Sequence, residues 1–470
     1  MAFRTPFILL RLGTNAEKKY AERMGALFSG YIVRGNFFES SPGMLTGLFL
    51  QARLTQPEHG FVIDPVTYVY ALPPTENSVR SWQKVREDVA RERLASDLNL
   101  PDDEIDNNWI REIEEPEPRD MGKVEILTIK RSYRALARKT MGALAQYAGV
   151  RAIQPSDINI DTSQELVALS TTYQRSAVRN RIPDATIAEV VPEPNFVMCP
   201  YFLIETQEWL DAMNTIWRAF ESENPSGQEV GVIHISASFL NSQIDSMCEI
   251  VTRSRIPHWA VWINETEEDV AEPNVLRAYR QLVERSREAG KTIFNLYGGL
   301  FSLCSISRGL AGICNAPGYG ESKSAEPIST GPAPAKFYIP HLAQRWTVTE
   351  AYDVLARANI GRSRDEFLRD VCRCPICQLG IQGGLVDLIP YYGETRRTIR
   401  RDGRPQDMPT GRALERGRFH FLIQRLDEFR RISPLSNAQV TALLTEKIDS
   451  WRGNRIEIEH LERWRSILRD

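Results

Sequence analysis

Thr292-Ile293-Phe294-Asn295-Leu296-Tyr297-Gly298-Gly299 and, after a short connection, Gly312-Ile313-Cys314-Asn315-Ala316-Pro317 are the stretches from which the fold is read. Each is an apolar run of strand length that ends in Gly, Asn or Pro. A continuous apolar run has no polar face to show to water, so it belongs to a strand covered on both sides. Working outward, the same pattern recurs at Phe7-Ile8-Leu9-Leu10, Tyr31-Ile32-Val33, Phe61-Val62-Ile63-Asp64, Phe196-Val197-Met198-Cys199, Val230–Ile235 and Trp259–Ile263. Helical stretches lie between several of them. The clearest is Asn274–Ala289, with Leu276, Tyr279, Leu282 and Val283 at helical spacing. About eight strands alternating with helices predict an α/β fold, a closed (β/α)8 barrel of TIM type rather than an open doubly wound sheet. Polar or turn-forming residues follow the strands, as in Asp64-Pro65, Cys199-Pro200, Ser236-Ala237-Ser238 and Asn264-Glu265. In a barrel that end of the strands carries the active site. No Gly-rich dinucleotide fingerprint and no phosphate loop is present.

Composition bounds the rest. The chain has 470 residues, 42% hydrophobic and 25% charged, with 58 Lys+Arg against 61 Asp+Glu. Those values exclude a disordered, collagen-like or disulfide-stapled chain. No apolar run reaches the roughly 18 residues needed to span a bilayer, so no membrane partner is expected. The N-terminal apolar stretch is broken by Arg11 and lacks a signal-peptide pattern, which leads to the expectation of a cytoplasmic protein. The expected organisation is a barrel over 1–345 with a mostly helical insertion at about 78–150, then a metal-binding and helical region over 346–470. The acidic stretch 102–117 reads as an exposed insertion. The loop Gly318–Pro334, rich in Gly, Pro and Ser, reads as a lid over the barrel mouth or as a plain connection.

Seven cysteines are present, and Cys372-Arg373-Cys374-Pro375-Ile376-Cys377 packs three of them into six residues. In an intracellular setting such density argues for a metal rather than disulfides. Three thiolates at this spacing reach one tetrahedral Zn2+ with little strain, and a fourth ligand must come from elsewhere. His420, in the helical run Arg418–Leu426, is the leading candidate, and His460 is the next. Three thiolates and an imidazole close the coordination sphere, so the expected zinc is structural. Cys199, Cys248, Cys304 and Cys314 read as small buried hydrophobes. Between Arg396 and Arg418 stand eight arginines (Arg396, Arg397, Arg400, Arg401, Arg404, Arg412, Arg416, Arg418) against Asp402, Asp407 and Glu415, with no lysine. Such a block reads either as an anion-binding, possibly nucleic-acid-binding, segment or as a solvated basic loop.

The cysteine cluster just past a barrel, followed by His420-Phe421-Leu422 opening a helix, resembles the zinc subdomain of the tRNA-guanine transglycosylases. Ile293–Leu300, a short helix through Arg308 and Gly309–Cys314 are similar to that family's last two barrel strands. Phe61-Val62-Ile63-Asp64 is similar to the strand that delivers its base-binding aspartate. In character the chain is closest to the branch that places 7-deazaguanine bases in DNA. The resemblance implies base exchange: a carboxylate attacks C1′ of the sugar, the resident base leaves, and a 7-deazaguanine base replaces it. It also implies nucleic acid, DNA or tRNA, as partner, and a possible homodimer or a set of modification-complex proteins. The sequence departs from the family where strand eight ends in Cys314-Asn315-Ala316, without the expected carboxylate. Under this reading Asp64 is the base-recognition and proton-transfer group and Glu321 a candidate nucleophile. Asn295, Gly298, Gly299 and Asn315 line the base pocket, and Arg396, Arg397, Arg400, Arg401 and Arg404 contact phosphates. The alternative is a catalytically inactive nucleic-acid-binding member of a modification or defence complex. A hydrolase that removes a base without replacing it would need the same pocket.

Overall fold

The structure is a computed structural model. It describes residues 3–56, 58–72, 131–148, 151–182, 193–223, 227–318, 321, 323–325, 334–399, 405–453 and 458–469. Eight parallel strands form the expected barrel. They are β1 (Phe7–Leu12), β2 (Gly30–Arg34), β3 (Gly60–Asp64), β4 (Phe196–Met198), β5 (Glu229–Ser236), β6 (His258–Asn264), β7 (Thr292–Asn295) and β8 (Leu310–Asn315). Each pairs in parallel with the next, β4 pairs β5 through Val197↔Glu229 and Met198↔Val230, and β1 pairs β8 through Phe7↔Gly312 to Leu10↔Asn315, so the sheet has no free edge. A short strand, Leu203–Ile204, lies beside the end of β5.

Period-two alternation decides what fills the barrel. Along β1, Phe7, Leu9 and Arg11 share the inward face. At the N-terminal end the interior is aromatic. Phe7 meets Phe294 at 5.3 Å between ring centroids, and Phe196 meets Phe3 at 5.4 Å and His258 at 5.0 Å. At the C-terminal end the inward residues become polar, and Arg11 and Asp64 face each other there. The outer helices bury one stripe each. In Pro273–Glu288 the buried residues include Leu276, Tyr279, Leu282 and Val283, the set expected from their spacing.

Two apolar clusters result. The larger joins the barrel to the C-terminal helices Asn437–Trp451 and Glu459–Arg469. The smaller begins at Ala335 and gathers Phe337, Ile339, Leu342, Leu355 and Phe367 around the three neighbouring cysteines. The hairpin β9 (Lys336–Ile339) and β10 (Gln344–Thr347) therefore packs largely with the cysteine region, so apolar packing changes partners about ten residues before the expected boundary at 345. The acidic stretch 102–117 and most of the expected helical insertion lie outside the described residues; its last part is the helix Arg131–Thr140. Among the described residues no helix is long and apolar enough to cross a membrane.

Closure of the β1–β8 seam requires Gly312. A Cβ there would lie 2.4 Å from the Phe7 carbonyl oxygen and 2.5 Å from its ring, just past an irregular step in the β7–β8 register. Neither neighbour can yield, one being backbone and the other a core ring. Gly312→Val should cost about 1–3 kcal/mol of stability by overpacking, read as a lower denaturant midpoint, whereas Gly43→Ala, with open space around it, should leave the midpoint nearly unchanged.

Candidate metal centre and barrel mouth

Local sequence folds the cysteines toward one point. Pro375 opens the helix Pro375–Gly380, with Cys374 as its N-cap and Cys377 one turn on, so both sulfurs lie on one side. The Cys374 N–H donates to Cys372 Sγ at 3.3 Å and folds the chain back. His420 arrives on the helix Gly411–Ile432, capped by Thr410, whose hydroxyl accepts from the Ala413 N–H. His420 is not the opening residue that the resemblance implied. It lies mid-helix, because Thr410 rather than Phe419 supplies the cap.

The His420 Nδ1 lies 3.7 Å from Cys372 Sγ, 3.3 Å from Cys374 Sγ and 3.6 Å from Cys377 Sγ. All four ligand atoms fall within 4.8 Å of one another, and all four residues are buried. The opposite ring nitrogen, Nε2, donates to the Tyr338 carbonyl at 2.7 Å, which leaves the Nδ1 lone pair facing the sulfurs. Phe337 stacks on the imidazole at 4.3 Å, and the Tyr392 hydroxyl lies 3.1 Å from Cys377 Sγ. This donor set fits a metal ion such as zinc, in a closed four-ligand sphere. His460, the other candidate, is used elsewhere: its Nε2 donates to the Leu342 carbonyl at 2.7 Å.

The barrel mouth is a second polar cluster. Asp64 ends β3 with its side chain fully buried, where an unpaired carboxylate would cost several kcal/mol. Three donors meet that cost. Arg11 forms a very short ion pair with Oδ2, while the Tyr201 hydroxyl and the Val66 N–H reach Oδ1 at 2.8 and 2.9 Å. Arg11 also lies 4.7 Å from the centre of the Tyr297 ring. Around this pair stand Tyr68, Tyr201, His234, Trp262 and Tyr297, with His234 stacked on Trp262 at 3.7 Å. Arg34 donates to the Tyr133 hydroxyl at 2.5 Å. Lys323, from the loop after β8, donates to the Tyr68 hydroxyl at 2.9 Å. The described part of that loop therefore lies over the mouth.

Of these groups, Asp64 alone was singled out in the sequence for a chemical role. Arg11 carried a usable signal, a charge on the inward phase of a barrel strand. Lys323 and Arg34 carried none beyond their neighbours in sequence. The expected base-pocket residues close turns: Asn295 accepts from the Tyr297 N–H and donates to Ser302, both at 2.9 Å, and Asn315 donates to the Gly298 carbonyl at 2.9 Å. At Gly299 a Cβ would lie 2.5 Å from a Glu268 carboxylate oxygen, so the missing side chain makes room for that carboxylate.

Glu321 is not joined to Asp64 by any contact among the described residues. It pairs closely with buried Arg425 of the helix Gly411–Ile432. It also lines a small open cleft, together with Glu268, Gly299, Arg345 and Trp464. Burial pushes its carboxyl up to about 7 against the pull of Arg425 and Arg345. Cys314 is buried and its thiol is pushed up to about 12, which leaves it inert at neutral pH. Arg396 and Arg397 stand exposed on β11 (Thr395–Ile399), paired with β12 (Pro405–Pro409) as a hairpin. Arg400, Arg401 and Arg404 lie outside the described residues.

The purified chain should carry about one equivalent of a divalent transition metal, measured by elemental analysis. Cys374→Ala should abolish it and lower the melting temperature, and Tyr392→Phe should weaken metal affinity by about 10–100-fold. A second outcome concerns pH. Folded Glu321 holds its proton up to about 7, above its ordinary 4.5, so between those values the folded state binds more protons than the unfolded one. This contribution to stability is full below the lower value and is lost as pH rises through the upper. Glu321→Gln should flatten that part of a stability-against-pH curve.

No protein-family model, no curated protein and no solved structure matches the chain.

Proposed function

We propose that the chain is a nucleic-acid base transglycosylase, exchanging guanine for a 7-deazaguanine base in DNA or tRNA, with a structural zinc at Cys372, Cys374, Cys377 and His420. The observation that carries this reading is the mouth itself. A buried carboxylate, Asp64, sits at the C-terminal end of a barrel strand among five aromatic side chains, two cations, Arg11 and Arg34, and the amine of Lys323. Flat aromatic faces suit a purine, and the cations suit the phosphates and the negative charge of a departing base. In this reading Asp64 recognises the base and moves its proton, with Tyr201 and Arg11 holding the carboxylate in place. Glu321 would be the nucleophile once its ion pair with Arg425 opens. The resident zinc supplies no step. It fixes the helix that carries Arg425 and supports the hairpin that carries Arg396 and Arg397, which would bind phosphates and make affinity fall steeply with salt.

A second reading has a specific observation behind it. Arg11 already neutralises Asp64, and β8 ends in Asn315 rather than a carboxylate. A non-catalytic nucleic-acid-binding protein would tolerate both. Incorporation of labelled guanine or 7-deazaguanine into DNA and tRNA separates the two. The enzyme should incorporate label, Tyr201→Phe should retain the fold and lose part of the rate, and Asp64→Asn should lose about 10²–10⁴-fold. No incorporation into any polymer, with salt-sensitive binding intact, would favour the binding protein.

A further inference from the structure

We propose that Lys323 is a carbonyl-reactive amine, which condenses at the barrel mouth with an aldehyde to form an imine. Its placement is built rather than incidental. The Lys323 carbonyl accepts from Trp262 Nε1 at 3.0 Å and from the Glu265 N–H at 3.1 Å. Two residues on, the Ala325 N–H donates to Asn264 Oδ1 at 2.7 Å, and Ser324 Oγ donates to a Glu265 carboxylate oxygen at 2.5 Å. These contacts pin the loop to the end of β6 and aim the side chain inward. The Nζ then lies 5.3–5.8 Å from the centres of the Trp262, Tyr68 and Tyr297 rings and donates to the Tyr68 hydroxyl. An amine held in one place needs little further ordering to meet a carbonyl carbon.

The surroundings suit a nucleophile better than a structural ammonium. No carboxylate lies within ion-pair distance of Nζ among the described residues, whereas Arg11 and Arg34 both face the same space. Burial, with those two cations acting in the same direction, moves the ammonium well below the ordinary lysine range. Among the described residues the buried Tyr297 hydroxyl and one Arg11 terminal nitrogen, Nη1, make no hydrogen bond to protein groups, and both belong to this cluster. They are placed to meet the oxygens of a ligand that enters it.

The step balances without any other reactant. The Nζ lone pair adds to the carbonyl carbon, and a proton passes from nitrogen to oxygen, with the Tyr68 hydroxyl positioned to relay it. The carbinolamine then loses its C–O bond as water, leaving the C=N bond. The aldehyde assigned here is the ring-opened C1′ of an abasic sugar, which forms when water rather than a second base replaces the departed one; only that assignment rests on the function proposed above, since the amine itself does not.

The test uses the full chain with sodium cyanoborohydride, which delivers hydride to an imine carbon and makes the adduct permanent. One arm supplies glycolaldehyde and the other an oligonucleotide with a single abasic site. The expected result is one adduct per chain in each arm, mapped to Lys323 by peptide mass spectrometry. It should fall at least tenfold in Lys323→Arg and form more slowly in Tyr68→Phe, with both variants checked for fold by circular dichroism. Because mapping on the unaltered chain needs no variant, the result stands even if a variant misfolds. Labelling of Lys323 by glycolaldehyde but not by the oligonucleotide would uphold the amine and count against the nucleic-acid reading. Labelling spread over exposed lysines, with Lys323 unmodified in both arms, would overturn the proposal.

Discussion

One helix ties the structure together, and the contacts along Gly411–Ile432 constrain everything else. His420 turns toward three sulfurs that no other described residue approaches with an imidazole. Arg425, five residues on, is fully buried and bridges Glu321 of the mouth loop and Glu428 of its own helix. Phe419, Phe421, Leu422 and Leu426 pack into the barrel's apolar cluster, and Phe419 meets Tyr20 at 4.6 Å. A buried guanidinium costs several kcal/mol unless its partners are in register. The Cys372, Cys374, Cys377 and His420 cluster sets that register, because moving the helix along its axis would separate His420 from the sulfurs and Arg425 from Glu321 together.

The barrel is graded along its axis. Its N-terminal end is filled by phenylalanine rings, which need only be packed. Its C-terminal end holds charges, which must be paired, and the pairing explains why a mouth so rich in cations and phenols remains folded. Asp64 offsets Arg11, and Tyr133 receives Arg34. Lys323 has phenol and ring faces in place of a carboxylate. Apolar packing and polar pairing are thus set by different ends of the same strands, as the β/α barrel architecture allows.

Much of this was legible in the chain. Continuous apolar runs marked the eight strands, because a strand buried on both faces has no polar phase to confuse the reading. The cysteine spacing marked the metal centre, because only a few residues separate its three sulfurs. Phe337 and Ile339 form a strand-like run that periodicity alone cannot assign to one core or another, and side-chain packing places them with the three cysteines. Asn295 and Asn315 could read a base edge or close a turn, since an amide can bond a base or a backbone group alike; in the folded chain both make turn contacts.

What the sequence by itself determined is whatever depends on near neighbours: strand and helix phase, the Pro375 helix start that aligns Cys374 with Cys377, and the inward phase of Arg11. What only the tertiary structure decided is which distant groups meet. Arg11 and Asp64 stand on β1 and β3, Lys323 reaches Tyr68 from a loop far along the chain, and His420 finds its sulfurs across an intervening hairpin. The physical reason is that burying a charge or closing a coordination sphere is paid for by partners, and partners are chosen by the shape of the whole barrel, not by the residues beside them.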